Sequence, residues 1–226
     1  RVSRMNPLLL KVPVFNPERL LDYLTPIFGW MTSPSAVVAW VVLLVLAVQQ
    51  LLLNFERLNV AANVVFDRNN WIWLTITWLV MKFLHELAHA LTCRRFGGHV
   101  RDCGVMMILF MPIPYVDVTS SWRFSSKWQR IATAGAGMFV ELGMASTAVL
   151  VWCYSDNPTV QYHAFHVMLL GGLTTLLFNA NFLMRFDGYY MLADWLEIPN
   201  LASLGQQHLV YFGKRYALGV KNDAPK

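Results

Sequence analysis

His85-Glu86-Leu87-Ala88-His89 places two imidazoles and a carboxylate within five consecutive residues. Histidines four apart lie on one face of a helix, so both rings can reach a single Zn²⁺. The glutamate beside the first histidine can act as general base on a water activated by that metal. A structural zinc site needs no base next to its ligands, so the intact Glu86 points to hydrolysis. Haem ligation fits poorly, because two histidines on one helix face cannot clamp one haem from both sides.

The surroundings of this motif are apolar. Of 226 residues, 56% are hydrophobic and only 14% charged, where soluble domains average about 25% charged, and mean hydropathy is +0.43. An integral membrane protein follows from this composition. The net charge of +5 comes from Lys and Arg that flank apolar segments and form no clustered face, which excludes a nucleic-acid partner and favours contact with the lipid bilayer. Cys93, Cys103 and Cys153 are odd in number and widely spaced, which argues against both a disulfide framework and a thiolate metal site; Cys93 suits small apolar packing. Arg1 to Phe15, broken by Pro7, Pro13 and charges, does not have the form of a cleavable signal peptide. A chain that opens on Arg is expected to be a processed product or a piece of something longer.

Four segments are apolar enough to be predicted as spans: about 36–53, 71–93 (which carries the histidines), 131–154 and 163–183. The third is rich in Ala and Gly, which lets helix backbones approach closely. Asn6 to Trp30 is too broken by proline to span and reads as an interfacial arm. Asn54 to Asn70 is a polar connection. Gly104 to Thr119 is apolar but short and contains Pro112 and Pro114, so a re-entrant loop or a strand is expected, with an edge that could pair with an extended substrate backbone. The predicted fold is therefore an all-α membrane protein with a four-span helical core and this one short loop or strand. Leu204 to Leu218 is expected to form an amphipathic surface helix.

With four spans, one side of the membrane collects 15 of the 18 Lys and Arg residues, and the positive-inside rule makes that side cytoplasmic. His85 and His89 then lie near the cytoplasmic face. A catalytic zinc takes three protein ligands and leaves one position open. His163 and His166 begin the fourth span on the opposite side, and His99 and His208 lie in polar segments. Asp187 arrives at the depth of the two histidines, followed by Gly188, and is the best third ligand; Asp117 and Asp194 are weaker rivals. Glu141, an ionisable residue inside the third span, could accept from the free ring N–H of either histidine. Lys82, one turn before His85, is expected to snorkel or pair with an acid.

These residues resemble the site-2 protease family of intramembrane zinc metalloproteases, in which an HExxH helix and a downstream Asp-Gly supply two histidines and an aspartate to zinc. Phe186 to Leu196 (FDGYYMLADWL), Pro114 to Val118 and Trp122-Arg123-Phe124 resemble a bacterial branch of peptide zinc metalloproteases within it. The likeness extends over roughly Asn6 to Asn200. It implies an enzyme of a bacterial inner membrane, with Zn²⁺ as cofactor, export or secretion subunits as possible partners, and relatives that continue into further spans. It also implies a role for Asn179 or Asn181 in holding the oxyanion or an unwound substrate backbone. One departure stands out: Phe182 follows Asn181 where the family usually has proline, which puts the local helix break in doubt.

The expected organisation is an interfacial arm (1–34), a transmembrane metalloprotease core (35–198) and a cytoplasmic amphipathic tail (199–226). The expected function is an intramembrane zinc endopeptidase, with His85, His89 and Asp187 on the metal and Glu86 as base, cutting a membrane-inserted or membrane-associated peptide or protein near the cytoplasmic face. The alternative is a non-proteolytic zinc-containing subunit of a peptide export assembly.

Overall fold

The computed structural model describes residues 9–59, 71–108, 111–198 and 200–217. Within them the chain runs as strand β1 (Leu9–Phe15), helices α1 (Glu18–Phe28), α2 (Pro34–Leu53) and α3 (Trp71–Arg95), and strands β2 (Cys103–Ile108) and β3 (Met111–Val116). Helices α4 (Lys127–Tyr154), α5 (Pro158–Thr174), α6 (Asp187–Leu196) and α7 (Leu201–Phe212) follow.

Helix starts follow local chemistry. Ser33 accepts the Ala36 N–H at 3.3 Å and Pro34 occupies the first turn of α2. Asn157 accepts from Thr159 and Val160 ahead of α5, again with proline next in sequence. Both are N-caps that satisfy donors the helix cannot, followed by a residue that has no N–H to satisfy.

Helix α4 is the central element. It packs on α2, α3, α5 and α6, and its buried face is built mostly of small residues: Thr133, Ala136, Gly137, Ala145, Ser146 and Ala148. Small side chains bring four neighbours close to one axis. One apolar core joins α2, α4 and α5 through Ala47, Val149, Trp152, Phe165 and Met168. A second, at the other end of α3, joins Leu21, Ala90, Cys93 and Val100.

The molecule is mostly helical, but it is not all-α. Strands β1, β2 and β3 form a three-stranded antiparallel sheet in that order. Leu9 pairs with Ile108 and Val12 with Val105, so part of the expected interfacial arm is the outer strand of a sheet. Local periodicity cannot reveal a pairing across more than ninety residues. The Gly104 to Thr119 segment forms the hairpin of β2 and β3, and Pro112 and Pro114 sit on an edge strand, where a missing N–H costs least.

Among the described residues, α2 and α4 are the two helices long and apolar enough to cross a membrane. Helix α3 is 25 residues long, but Lys82, His85, Glu86 and His89 lower its apolarity. Helix α5 has 17 residues, about 26 Å of rise, and stops at Thr174 instead of continuing to residue 183. A π-helical turn over Thr175–Asn179 follows, and the chain is irregular up to Phe186. The helix therefore breaks here without a proline. Helix α4 begins at Lys127 and α5 at Pro158, a turn or more before the expected starts. The expected tail helix is α7 with a π turn over Gly213–Ala217; residues 218–226, like 60–70 of the polar connection, lie outside the described residues.

Candidate metal centre

Helix α3 presents His85 and His89 one turn apart, and both are buried against α4. The close approach depends on Gly137. A Cβ at that position would lie 2.4–2.5 Å from the His85 ring atoms, so the ring occupies the space a side chain would need. Gly137→Ala is accordingly expected to displace His85, lower metal affinity and destabilise the fold by about 1–3 kcal/mol. Metal titration and thermal unfolding of the variant check this.

Asp187 comes from a different direction. It begins α6, which is held to α4 by ion pairs of Arg130 with Asp194 (2.5 Å) and Lys127 with Glu197 (3.3 Å). Gly188 allows the approach: a Cβ there would lie 2.8–2.9 Å from the backbone of Ala180 and Asn179. Asp187 Oδ2 then stands 3.1 Å from His85 Nε2 and 3.4 Å from His89 Nε2, and the two Nε2 atoms are 3.0 Å apart. Ligand atoms from the three residues lie within 4.8 Å of one another.

Hydrogen bonding sets what these atoms can do. His89 Nδ1 donates to the Thr133 carbonyl at 2.7 Å, so the neutral ring carries its lone pair on Nε2. His85 Nδ1 faces Glu141 Oε1 at 3.2 Å, off hydrogen-bond angle, which favours the same tautomer. Asp187 Oδ2 is buried without a hydrogen-bond partner among the described residues. With both rings in that tautomer, three electron-pair donors converge. A cation at their centre would relieve that repulsion, and a two-nitrogen, one-oxygen set suits zinc among the common metals.

Glu86 is half-buried in the same turn of α3 and has no hydrogen bond or ion pair among the described residues. The Asp187 side chain is about one-fifth exposed, so the cluster is open on that side.

Glu141 is fully engaged. Its Oε1 receives Lys82 Nζ at 2.6 Å, and its Oε2 accepts from the Thr175 hydroxyl and from Asn179 Nδ2, the latter at 2.8 Å. Asn179 thereby gives one of its two amide hydrogens to Glu141. Asn181 Oδ1 accepts the Leu183 N–H, which leaves its amide nitrogen without a partner among the described residues. The rival ligands are occupied elsewhere: Asp194 pairs with Arg130, and Asp117 accepts the Thr119 N–H. His163 packs edge-on against Trp73, and His166 Nδ1 donates to the Tyr162 carbonyl. Sequence reasoning missed Gly137, Thr133 and Thr175. The small-residue run of α4 contained a signal for the first, but nothing in a sequence marks a backbone carbonyl such as that of Thr133 as a partner.

Comparison with known proteins gives distant relatives. The chain is similar to a Bacillus subtilis (strain 168) protein named "Putative peptide zinc metalloprotease protein YydH", 24% identical over 162 residues, which cover 70% of this chain and 62% of that protein. It is also similar to an uncharacterized protein of Methanocaldococcus jannaschii, 29% identical over 86 residues, or 38% of this chain and 24% of that protein. The chain therefore spans less than two thirds of the length of either relative. No protein-family model and no solved structure matches it. The chain is thus a distant relative of a protein named as a zinc metalloprotease, with a His-His-Asp cluster able to hold a metal ion.

Proposed function

We propose that the chain is an intramembrane zinc endopeptidase that cuts a membrane-inserted or membrane-associated peptide near the cytoplasmic face. The observation that carries this reading is the convergence of His85 Nε2, His89 Nε2 and Asp187 Oδ2 in the same turn of α3 as Glu86, which has no ion pair among the described residues. The likeness to a protein named as a peptide zinc metalloprotease supports it. In this reading α2, α3, α4 and α5 are four crossings, α1 and β1 belong to an interfacial arm, and α7 lies in a cytoplasmic tail. The shortness of α5 is part of the design, since a break before Asp187 lets the chain turn back into the site.

Zinc, held by His85, His89 and Asp187, would supply an electrophile that makes a water acidic near neutral pH and polarises a peptide carbonyl. Glu86 takes the proton of the attacking water and delivers it to the departing amine, so one carboxylate serves as base and then acid. The Asn181 amide, which has no partner among the described residues, is assigned to the developing oxyanion or to an unwound substrate backbone. Water enters from the cytoplasmic side, past the partly exposed Asp187. The surrounding apolar helices keep the remainder of the site dry, which strengthens every charge interaction within it.

The test is to purify the chain in detergent and measure zinc content and cleavage of a panel of membrane peptides, before and after treatment with a chelator. One zinc per chain is expected, with cleavage lost on chelation and restored by added zinc. Stoichiometric zinc with no cleavage of any membrane peptide would instead favour a non-proteolytic subunit of an export assembly.

A further inference from the structure

Glu141 is one buried carboxylate with four polar neighbours drawn from two other parts of the chain. Its Oε1 faces α3, with Lys82 Nζ at 2.6 Å and His85 Nδ1 at 3.2 Å. Its Oε2 faces the broken end of α5, where it accepts from Thr175 and Asn179, the first and last residues of the π turn. The backbone that leaves this turn, at Asn179 and Ala180, is the surface on which Gly188 packs without room for a Cβ. Asp187, the neighbour of Gly188, is thereby seated against a turn that Glu141 holds in place.

We infer that Glu141 is the positioning residue for two metal ligands at once: Oε1 orients the His85 ring, and Oε2 fixes the π turn that seats Asp187. This inference rests on the metal-binding reading proposed above. The two halves of the role have separate physical causes. An ionised carboxylate can only accept, so at 3.2 Å it favours the His85 tautomer with hydrogen on Nδ1 and the lone pair on Nε2. The turn is another matter. A π turn leaves α-helical backbone bonds unmade, and side-chain bonds from both of its ends to one anchor compensate for that loss. Lys82 completes the arrangement by offsetting the charge of a carboxylate that would otherwise be isolated at this depth.

The proposal makes Thr175 and Asn179 positioning residues for Asp187 but not for His85. That separation gives the test. Zinc affinity would be measured in detergent by competition with a chromophoric chelator, cobalt ligand-field spectra would report geometry, and unfolding of the metal-free protein would report the fold. Glu141→Gln, which turns an amide N–H₂ toward one side and removes the charge, is expected to weaken zinc about 10- to 100-fold and shift the cobalt bands. Thr175→Val is expected to weaken zinc about three- to tenfold. In an Asp187→Ala background the Thr175→Val effect should vanish, because the turn no longer delivers a ligand, whereas Glu141→Gln should retain an effect through His85.

A folded Glu141→Gln protein with parental zinc affinity overturns the inference. So does a Thr175→Val effect that persists undiminished in the Asp187→Ala background, since a general loss of packing would act alike in both. Should Glu141→Gln fail to fold, Thr175→Val and Asn179→Ala carry the same comparison. A parent protein that binds no zinc overturns the metal reading itself, and is distinguished by being measured first.

Discussion

Glu86→Gln is expected to slow peptide cleavage by about 10²- to 10⁴-fold while zinc content stays at the parental level. The substitution preserves size and one carbonyl oxygen but removes the ability to take up a proton. Glu86 contributes no atom to the His85, His89 and Asp187 cluster and makes no ion pair or hydrogen bond among the described residues, so the metal should be retained. The loss should fall on the single-turnover rate and leave substrate affinity little changed, because the group acts on protons in flight and does not hold the peptide. Metal analysis beside single-turnover cleavage checks both parts. Full activity with zinc bound would place the base elsewhere, and loss of zinc would show that Glu86 holds the site together.

Asp187→Ala should have the largest effect on the metal, about 10²- to 10³-fold in zinc affinity. A structural zinc site with four ligands binds with about 10–16 kcal/mol, so one ligand of a smaller set accounts for roughly 3–4 kcal/mol. The informative control is Asp194→Ala. Asp194, on the same helix as Asp187, pairs with Arg130 of α4 and holds α6 against it, so its removal should lower thermal stability and weaken zinc far less than the loss of Asp187. Equal losses of zinc in the two variants would mean that Asp187 acts only through the placement of α6. Retention of parental affinity by Asp187→Ala would move the third ligand to another residue.

Both expectations could be framed from the sequence, but for different reasons. The His85, Glu86 and His89 set is local: a helix fixes their spacing within one turn, so residue identity is nearly sufficient. Asp187 is almost a hundred residues away. Only a count of spans and charges links it to the histidines in the sequence, and Phe182 stands where a proline would mark the helix break. In the structure the π turn over Thr175–Asn179 makes that break, held by side-chain bonds to Glu141. A proline would have announced the turn in the sequence; two hydrogen bonds to a distant carboxylate do not.

The same contrast explains the sheet. Gly104 to Thr119 was legible as a loop or strand from its prolines and apolar residues. That its partner would be Leu9–Phe15 was not, because the arm's exposed apolar residues suit a membrane surface equally well. Asn179 shows the limit most directly. Nothing in the sequence marks that one of its amide hydrogens goes to Glu141, at 2.8 Å, and so ties the turn before Asp187 to α4.

What the sequence determined by itself is the chemistry within reach: two histidines and a glutamate on one helical turn, and an apolar chain around them. Helical geometry and hydropathy act over a few residues at a time, so those features survive translation from letters to structure. Only the tertiary structure decided how closely Asp187 approaches the two rings and which side chains hold Glu141 between the π turn and α3. Those outcomes depend on Gly137 and Gly188 allowing contacts within the space of a single Cβ. Distances of that size between remote segments are set by packing, and no local pattern encodes them.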